Sequence, residues 1–187
     1  MKKYLLPSIK LTALLVLLLG GLYPLFLAGV AKLAPGKGDG IKVTHNGRVV
    51  GYENIAQKFS DDKYFQPRPS TVDYNAAGSG GSNKAAGNPD YLKTVQERID
   101  SFMVHNPDVK KSDIPAELVT ASASGLDPHL TPAAAYVQVP RVAKLRNIPA
   151  DKLKQLIDAN TKGPLMGLFG LSTVNVLKLN IALDDLK

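Results

Sequence analysis

The densest group of side chains able to do chemistry is Ser122-Ala-Ser-Gly-Leu-Asp-Pro-His129. Asp127 and His129 have the types of an acid and a base, and Ser122 or Ser124 could supply a nucleophile. Acyl transfer needs the serine held by the base and the base oriented by a third group. No Gly-x-Ser-x-Gly elbow occurs to present such a serine. The same residues also suit a strand-to-helix turn, with Gly125 in an awkward backbone conformation and Asp127 accepting backbone N–H groups. Spacing favours the turn. A second candidate is Gly78-Ser-Gly-Gly-Ser-Asn83. Asn83 stands where a dinucleotide loop needs its third glycine, and Lys84 is followed by Ala85 rather than the Ser or Thr of a Walker loop. A flexible or tightly turned loop is expected there. His45, His105 and His129 are far apart, no His-Glu-x-x-His occurs, and cysteine is absent, so neither a zinc site nor a disulfide is expected.

The formal net charge of +7 could suggest nucleic acid as a partner. The basic residues are spread out, tryptophan is absent, and no compact basic-aromatic patch occurs. Val139 to Leu156 imitates a helix-turn-helix, but two short amphipathic helices around a proline turn are generic structure. Nucleic acid is therefore not an expected partner. Positive charge near anionic headgroups accounts for the balance.

Membrane placement follows from the start of the chain. From Leu11 to Ala31 there is no charged side chain, and Gly20, Gly21 and Pro24 interrupt a leucine-rich run. About 20 helical residues span the hydrocarbon core of a bilayer, and a helix pairs its backbone groups internally as lipid demands. Lys2, Lys3 and Lys10 precede the run, which predicts a cytoplasmic N-terminus. The division expected is a short cytoplasmic arm over 1–10, a transmembrane helix over 11–31, and one extracytoplasmic domain over 32–187. Cleavage of a signal peptide after Ala31 is the rival reading. Signal h-regions are about 7–15 residues, shorter than this run.

The remainder must position the candidate residues. Ile41 to Val50 predicts a β-hairpin turning on Asn46-Gly47. Asn54 to Phe59 suggests a short helical turn capped by Asn54. Ser60 to Asn88 reads as a long loop, pinned by Tyr64, Phe65 and Tyr74, and a loop of that length is functional or disordered. Asn88 and Pro89 start a helix with Leu92, Val95, Ile99 and Phe102 on its apolar face, ended by Asn106-Pro107. Leu118 to Ala121 is a short strand candidate. Thr131 caps the next helix with Pro132 at its first position. Pro140 restarts or kinks it, and Val142 and Leu145 continue its face. Asn147-Ile-Pro149 breaks the chain before a helix over Ala150 to Ala159, with Leu153, Leu156 and Ile157 inward. Val174 to Leu183 alternates, with Leu177, Leu179, Ile181 and Leu183 on one face, and predicts a strand. Strands at both ends with helices between give an α+β fold, with the terminal strand central.

In order and spacing, these segments resemble a known family. The marks are the N-terminal anchor, the Asn46-Gly47 hairpin, Tyr64-Phe65…Arg68-Pro69-Ser70, and Tyr74-Asn75…Gly80-Gly81-Ser82-Asn83. Leu118-Val-Thr-Ala-Ser-Ala-Ser-Gly-Leu-Asp127, Gln138-Val-Pro-Arg-Val-Ala143 and Val174 to Asp184 complete them. The chain resembles the C subunit of the bacterial high-affinity potassium-transporting P-type ATPase, the Kdp complex. It departs at Pro67, where that family commonly has glycine, and at Lys84, where a hydrophobic residue is usual.

The resemblance implies a non-catalytic accessory subunit in the bacterial cytoplasmic membrane. Its partners would be a channel-like potassium-translocating subunit, a P-type ATP-hydrolysing subunit and a small single-span subunit. It implies no stably bound cofactor. It also implies a catalytic chaperone that raises the ATP affinity of the pumping subunit, with Gln138 as a nucleotide contact. ATP is cytoplasmic, whereas the topology above puts Gln138 outside, so an indirect effect through the membrane helix is the expectation. Gly20, Gly21 and Ala28 are candidates for packing against partner helices. Arg68, Ser70, Asn75, Ser82, Asn83, Ser124, Gly125, Asp127, His129 and Arg141 are candidates for the partner-facing surface. A membrane-anchored hydrolase using Asp127, His129 and a serine, or a small-ligand module on the glycine-rich loop, are the alternatives.

Overall fold

A computed structural model describes residues Lys2–Leu186. The chain forms two compact units, Met1–Lys42 and Val43–Lys187. The first is a helix, α1 (Lys2–Leu15), passing through a π-helical segment (Val16–Leu22) into α2 (Tyr23–Ala31). The helix thus begins well before the apolar run. The π segment ends just ahead of Pro24, which has no N–H to give to the carbonyl of Gly20. There the bonding slips to a wider turn, with the Tyr23 N–H donating to the Leu18 carbonyl.

The second unit opens on a hairpin of β1 (Lys42–His45) and β2 (Arg48–Tyr52). Its turn residues Asn46 and Gly47 sit at φ 50° and 75°, as a type I′ turn requires. Next come α3 (Pro89–His105), β3 (His129–Leu130), α4 (Pro132–Tyr136), α5 (Val139–Arg146) and α6 (Ala150–Ala159). Then follow β4 (Thr161–Lys162), β5 (Thr173–Asn175) and α7 (Val176–Asp185). Strands β3, β5 and β4 form one antiparallel sheet with β5 central, pairing His129 with Asn175 and Thr161 with Val174. Asn88 accepts from Tyr91 N–H to cap α3, and Thr131 accepts from Ala134 N–H to cap α4. Phe65, Leu130, Val142, Leu153, Ile157, Val174, Leu179 and Leu183 fill the core. The architecture is mixed α and β, with most of the core carried on helices.

Three of the expected elements are replaced by other structure, for physical reasons. Residues 54–59 are not helical. Tyr52 to Ile55 is a turn closed by the Ile55 N–H on the Tyr52 carbonyl at 3.3 Å, and residues 56–60 form no regular element, with the Ala56 N–H donating to the Leu126 carbonyl at 2.9 Å. Leu118 and Val119 are buried, but not in a strand. Pro115 leads into a single 3-10 turn, Ala116–Leu118, closed by the Thr120 N–H and hydroxyl on the Ala116 carbonyl. Val174 to Leu183 is strand only as far as Asn175. The Asn175 side chain accepts from Lys178 N–H, and a helix begins. Val176, Leu179, Asn180 and Leu183 are then buried at helical spacing. Leu177, Leu179 and Leu183 are buried either way, which is why alternation imitated a strand. Leu92 and Leu145, expected inward, are 53% and 55% exposed.

Candidate functional site

The Ser122–His129 segment is held against the long loop by a polar seam. Asp127 accepts the His129 N–H at 3.0 Å, and its other oxygen takes the Arg68 guanidinium at 3.1 Å. The His129 ring lies 3.6 Å away. His129, then its backbone N–H and Arg68, hold the Asp127 carboxyl below the usual carboxylate range against the opposing effect of burial. Ser70 donates to the Gly125 carbonyl at 2.7 Å and accepts the N–H groups of Val72 and Tyr74. Tyr74 donates to the Arg68 carbonyl at 2.8 Å, and burial, helped by Asp73, pushes its phenol up to about 12. Gly125 sits at φ +67°, and a Cβ there would lie 2.8 Å from both the Gly80 carbonyl oxygen and a Val72 methyl. The glycine-rich loop crosses here, with the Gly80 N–H donating to the Ser124 carbonyl at 2.9 Å. Ser124 accepts the Leu126 N–H and faces Ser122 at 3.4 Å. The segment is the turn that spacing favoured, and its acid, base and serines are engaged in loop bonds. Asn75, Ser82 and Asn83 lie exposed along the crossing loop, Asn83 at φ 52°.

Gln138 and Arg141 are at a different place, under the start of the same loop. Gln138 is 0% exposed. Its amide oxygen accepts from Gln66 N–H at 2.8 Å and from Arg141 at 2.8 Å. Its amide nitrogen donates to the carbonyls of Gln66 and Ala134, both at 3.1 Å. Two donors and two acceptor positions are the whole capacity of a primary amide, so all of Gln138 is committed. Asn180 repeats the device one residue earlier, bonding both the N–H and the carbonyl of Phe65 at 2.9 Å. Two buried amides thus grip Phe65-Gln66 as a neighbouring strand would. Arg141 ties the clamp down through Asn106, the carbonyls of Asp62 and Tyr64, and the Asp62 carboxylate at 3.8 Å. Asn180 and Asn106 were missed in the sequence. An Asn on the buried face of a helical repeat was the available signal for Asn180.

In the first unit, Gly20 and Gly21 belong to the π segment, and a Cβ on either would meet nothing within 4 Å. Ala28 is exposed on α2. The helix Lys3–Ala31 is long and apolar enough to cross a membrane, and none of its apolar window is buried in the chain. A further surface escaped sequence reading. Between β4 and β5 a small hairpin is closed by Leu165 and Phe169, whose backbone groups exchange bonds at 2.8 and 3.0 Å. It exposes Leu165, Met166, Leu168, Phe169 and Leu171 at 65–84%.

Comparison with known proteins accords with these features. Residues 5–185 match the KdpC family, described as the K+-transporting ATPase, c chain. The potassium-transporting ATPase KdpC subunit of Flavobacterium psychrophilum is 54% identical over 96% of this chain and 96% of its own. That of Flavobacterium johnsoniae is 50% identical over 99% and 100%. The Bacillus cereus KdpC subunit is 44% identical over 96% of this chain and 94% of its own. A match this long, through the membrane-length helix, the clamp and the Arg68–Asp127 seam alike, means that the chain belongs to the KdpC family of K+-transporting ATPase subunits.

Proposed function

We propose that the chain is an accessory and assembly subunit of an ATP-driven potassium uptake complex, without a catalytic centre of its own. The observation that carries this reading is the helix Lys3–Ala31, apolar and unburied within the chain. Apolar surface on this scale is stable only when covered by lipid or by other helices. The small residues Gly20, Gly21 and Ala28 allow close approach of partner helices. The N-terminus lies in the cytoplasm, because Lys2, Lys3 and Lys10 favour that side, and residues 32–187 lie outside the bacterial cytoplasmic membrane. There the head docks on the channel-like potassium-translocating subunit, beside the P-type ATP-hydrolysing subunit and a small single-span subunit. The uncharged hairpin Leu165–Leu171 is the docking tip that the geometry favours.

Any rise in the ATP affinity of the pump then passes through the membrane helix, which biases a two-state element of the pump. The committed amide of Gln138 supports that indirect route, since contact with nucleotide would break the clamp. Removing residues 2–31 tests the assembly role. The truncated chain is expected to be lost from the purified complex, and potassium uptake with it. Full transport with the truncated chain would refute the reading. The indirect route is tested by Gln138→Ala in sealed vesicles of known orientation, where an unchanged apparent ATP affinity is expected.

A further inference from the structure

Helix α3 and the end of the glycine-rich loop border a half-open cavity of about 320 Å3, and every side chain lining it carries a polar group. Tyr91, Thr94 and Arg98 enter it from one face of α3, three and four residues apart. Ser82 and Lys84 enter from the loop, and Ser70 and Thr71 from the segment after Arg68. No carboxylate lines it. The donors divide into two groups. The hydroxyls of Ser70, Thr71 and Thr94 already donate to the carbonyls of Gly125, Gly80 and Asp90. Among the described residues, Ser82, Tyr91 and Lys84 have no such partner. Arg98 spends only one terminal nitrogen, on the Val119 carbonyl at 3.3 Å. Among the described residues, neither Lys84 nor Arg98 has a carboxylate within ion-pair distance, and Asp73 pairs with Lys58 at 2.8 Å.

We propose that this cavity binds a phosphate group, held by Lys84 and Arg98 with Ser82 and Tyr91. Two cations without a counter-charge favour an anion, and charge-assisted bonds from guanidinium and ammonium are the strong ones. Four donor side chains from two chain segments suit a tetrahedral oxyanion, which offers more oxygens than the two of a carboxylate. The group comes from free phosphate or from an anionic phospholipid headgroup.

The test uses the full chain in discs of zwitterionic lipid. Lys84 acylation by an amine-reactive reagent is read by mass spectrometry during titration with inorganic phosphate at constant ionic strength. Exposed Lys110 and Lys144 serve as internal references. Saturable protection of Lys84 alone is expected, its midpoint moved at least about tenfold by Arg98→Gln. Lys84→Gln, on an exposed loop, should remove the phosphate-dependent broadening of the phosphorus NMR signal without changing the melting temperature. Protection without added phosphate, appearing when phosphatidylglycerol replaces the zwitterionic lipid, assigns the headgroup as the source. Equal protection of all three lysines, or protection from neither source, overturns the proposal. Protection seen only in the assembled complex also overturns it, in favour of a partner's carboxylate.

Discussion

Replacing Gln138 by leucine keeps the side-chain volume and removes every polar contact of the clamp. The N–H and carbonyl of Gln66 lose their partners, the Ala134 carbonyl loses a donor, and Arg141 loses one acceptor. One orphaned buried group costs about 1–3 kcal/mol, and the four losses share one network, so they do not add fully. The expected destabilisation is about 3–5 kcal/mol, less than a simple sum. For a domain of this size that lowers the melting temperature by about 6–20 °C. Far-ultraviolet circular dichroism of the full chain in detergent reads it directly. Asn180→Leu cuts the equivalent pair of bonds to Phe65 and is expected to behave alike. On the indirect route, both variants should leave the apparent ATP affinity of the assembled complex unchanged. The reasoning is refuted if Gln138→Leu costs less than about 1 kcal/mol. It is equally refuted if Gln138→Leu weakens the ATP response while Asn180→Leu does not, because that pattern belongs to a direct contact.

Gly125→Ala should cost about 2–4 kcal/mol, from positive φ and a Cβ jammed against Gly80 and Val72. Gly78→Ala, where a Cβ meets nothing within 4 Å, should stay within about 0.5 kcal/mol in the same denaturation assay. Asp127 has its pKa lowered in the fold, so its contribution is present above the unfolded carboxylate value and is lost as pH falls through the lower folded value. Asp127→Asn should therefore be destabilising near neutral pH, with the gap to wild type closing on the acid limb of a pH–stability curve. Tyr74 has its phenol raised to about 12, so its contribution is lost as pH rises above the ordinary tyrosine range and through that value. Tyr74→Phe should remove the last phenolate step in an alkaline absorbance titration and cost about 1 kcal/mol at neutral pH. Leu168→Ser with Phe169→Ser should leave the melting temperature of the isolated chain unchanged and lower recovery of the complex in pull-down.

Local chemistry was legible in the residues themselves. Asn46-Gly47 dictates its turn because both positions need positive φ. Asn88 and Thr131 dictate helix starts because their side-chain oxygens accept N–H groups that no helix can satisfy internally. The membrane-length helix follows from a charge-free run that needs no other part of the chain to explain it. The tertiary structure decided matters that depend on residues distant in sequence. Whether Val174 to Leu183 becomes strand or helix turns on which surface buries it, since Leu179 and Leu183 fit both periods until Asn180 finds Phe65 115 residues away. Gln138 is an unremarkable polar residue until the backbone of Gln66, 72 residues earlier, arrives to use all of its amide. Hydrogen bonds of that range leave no periodic trace, because each partner's spacing is set by the path of the intervening chain.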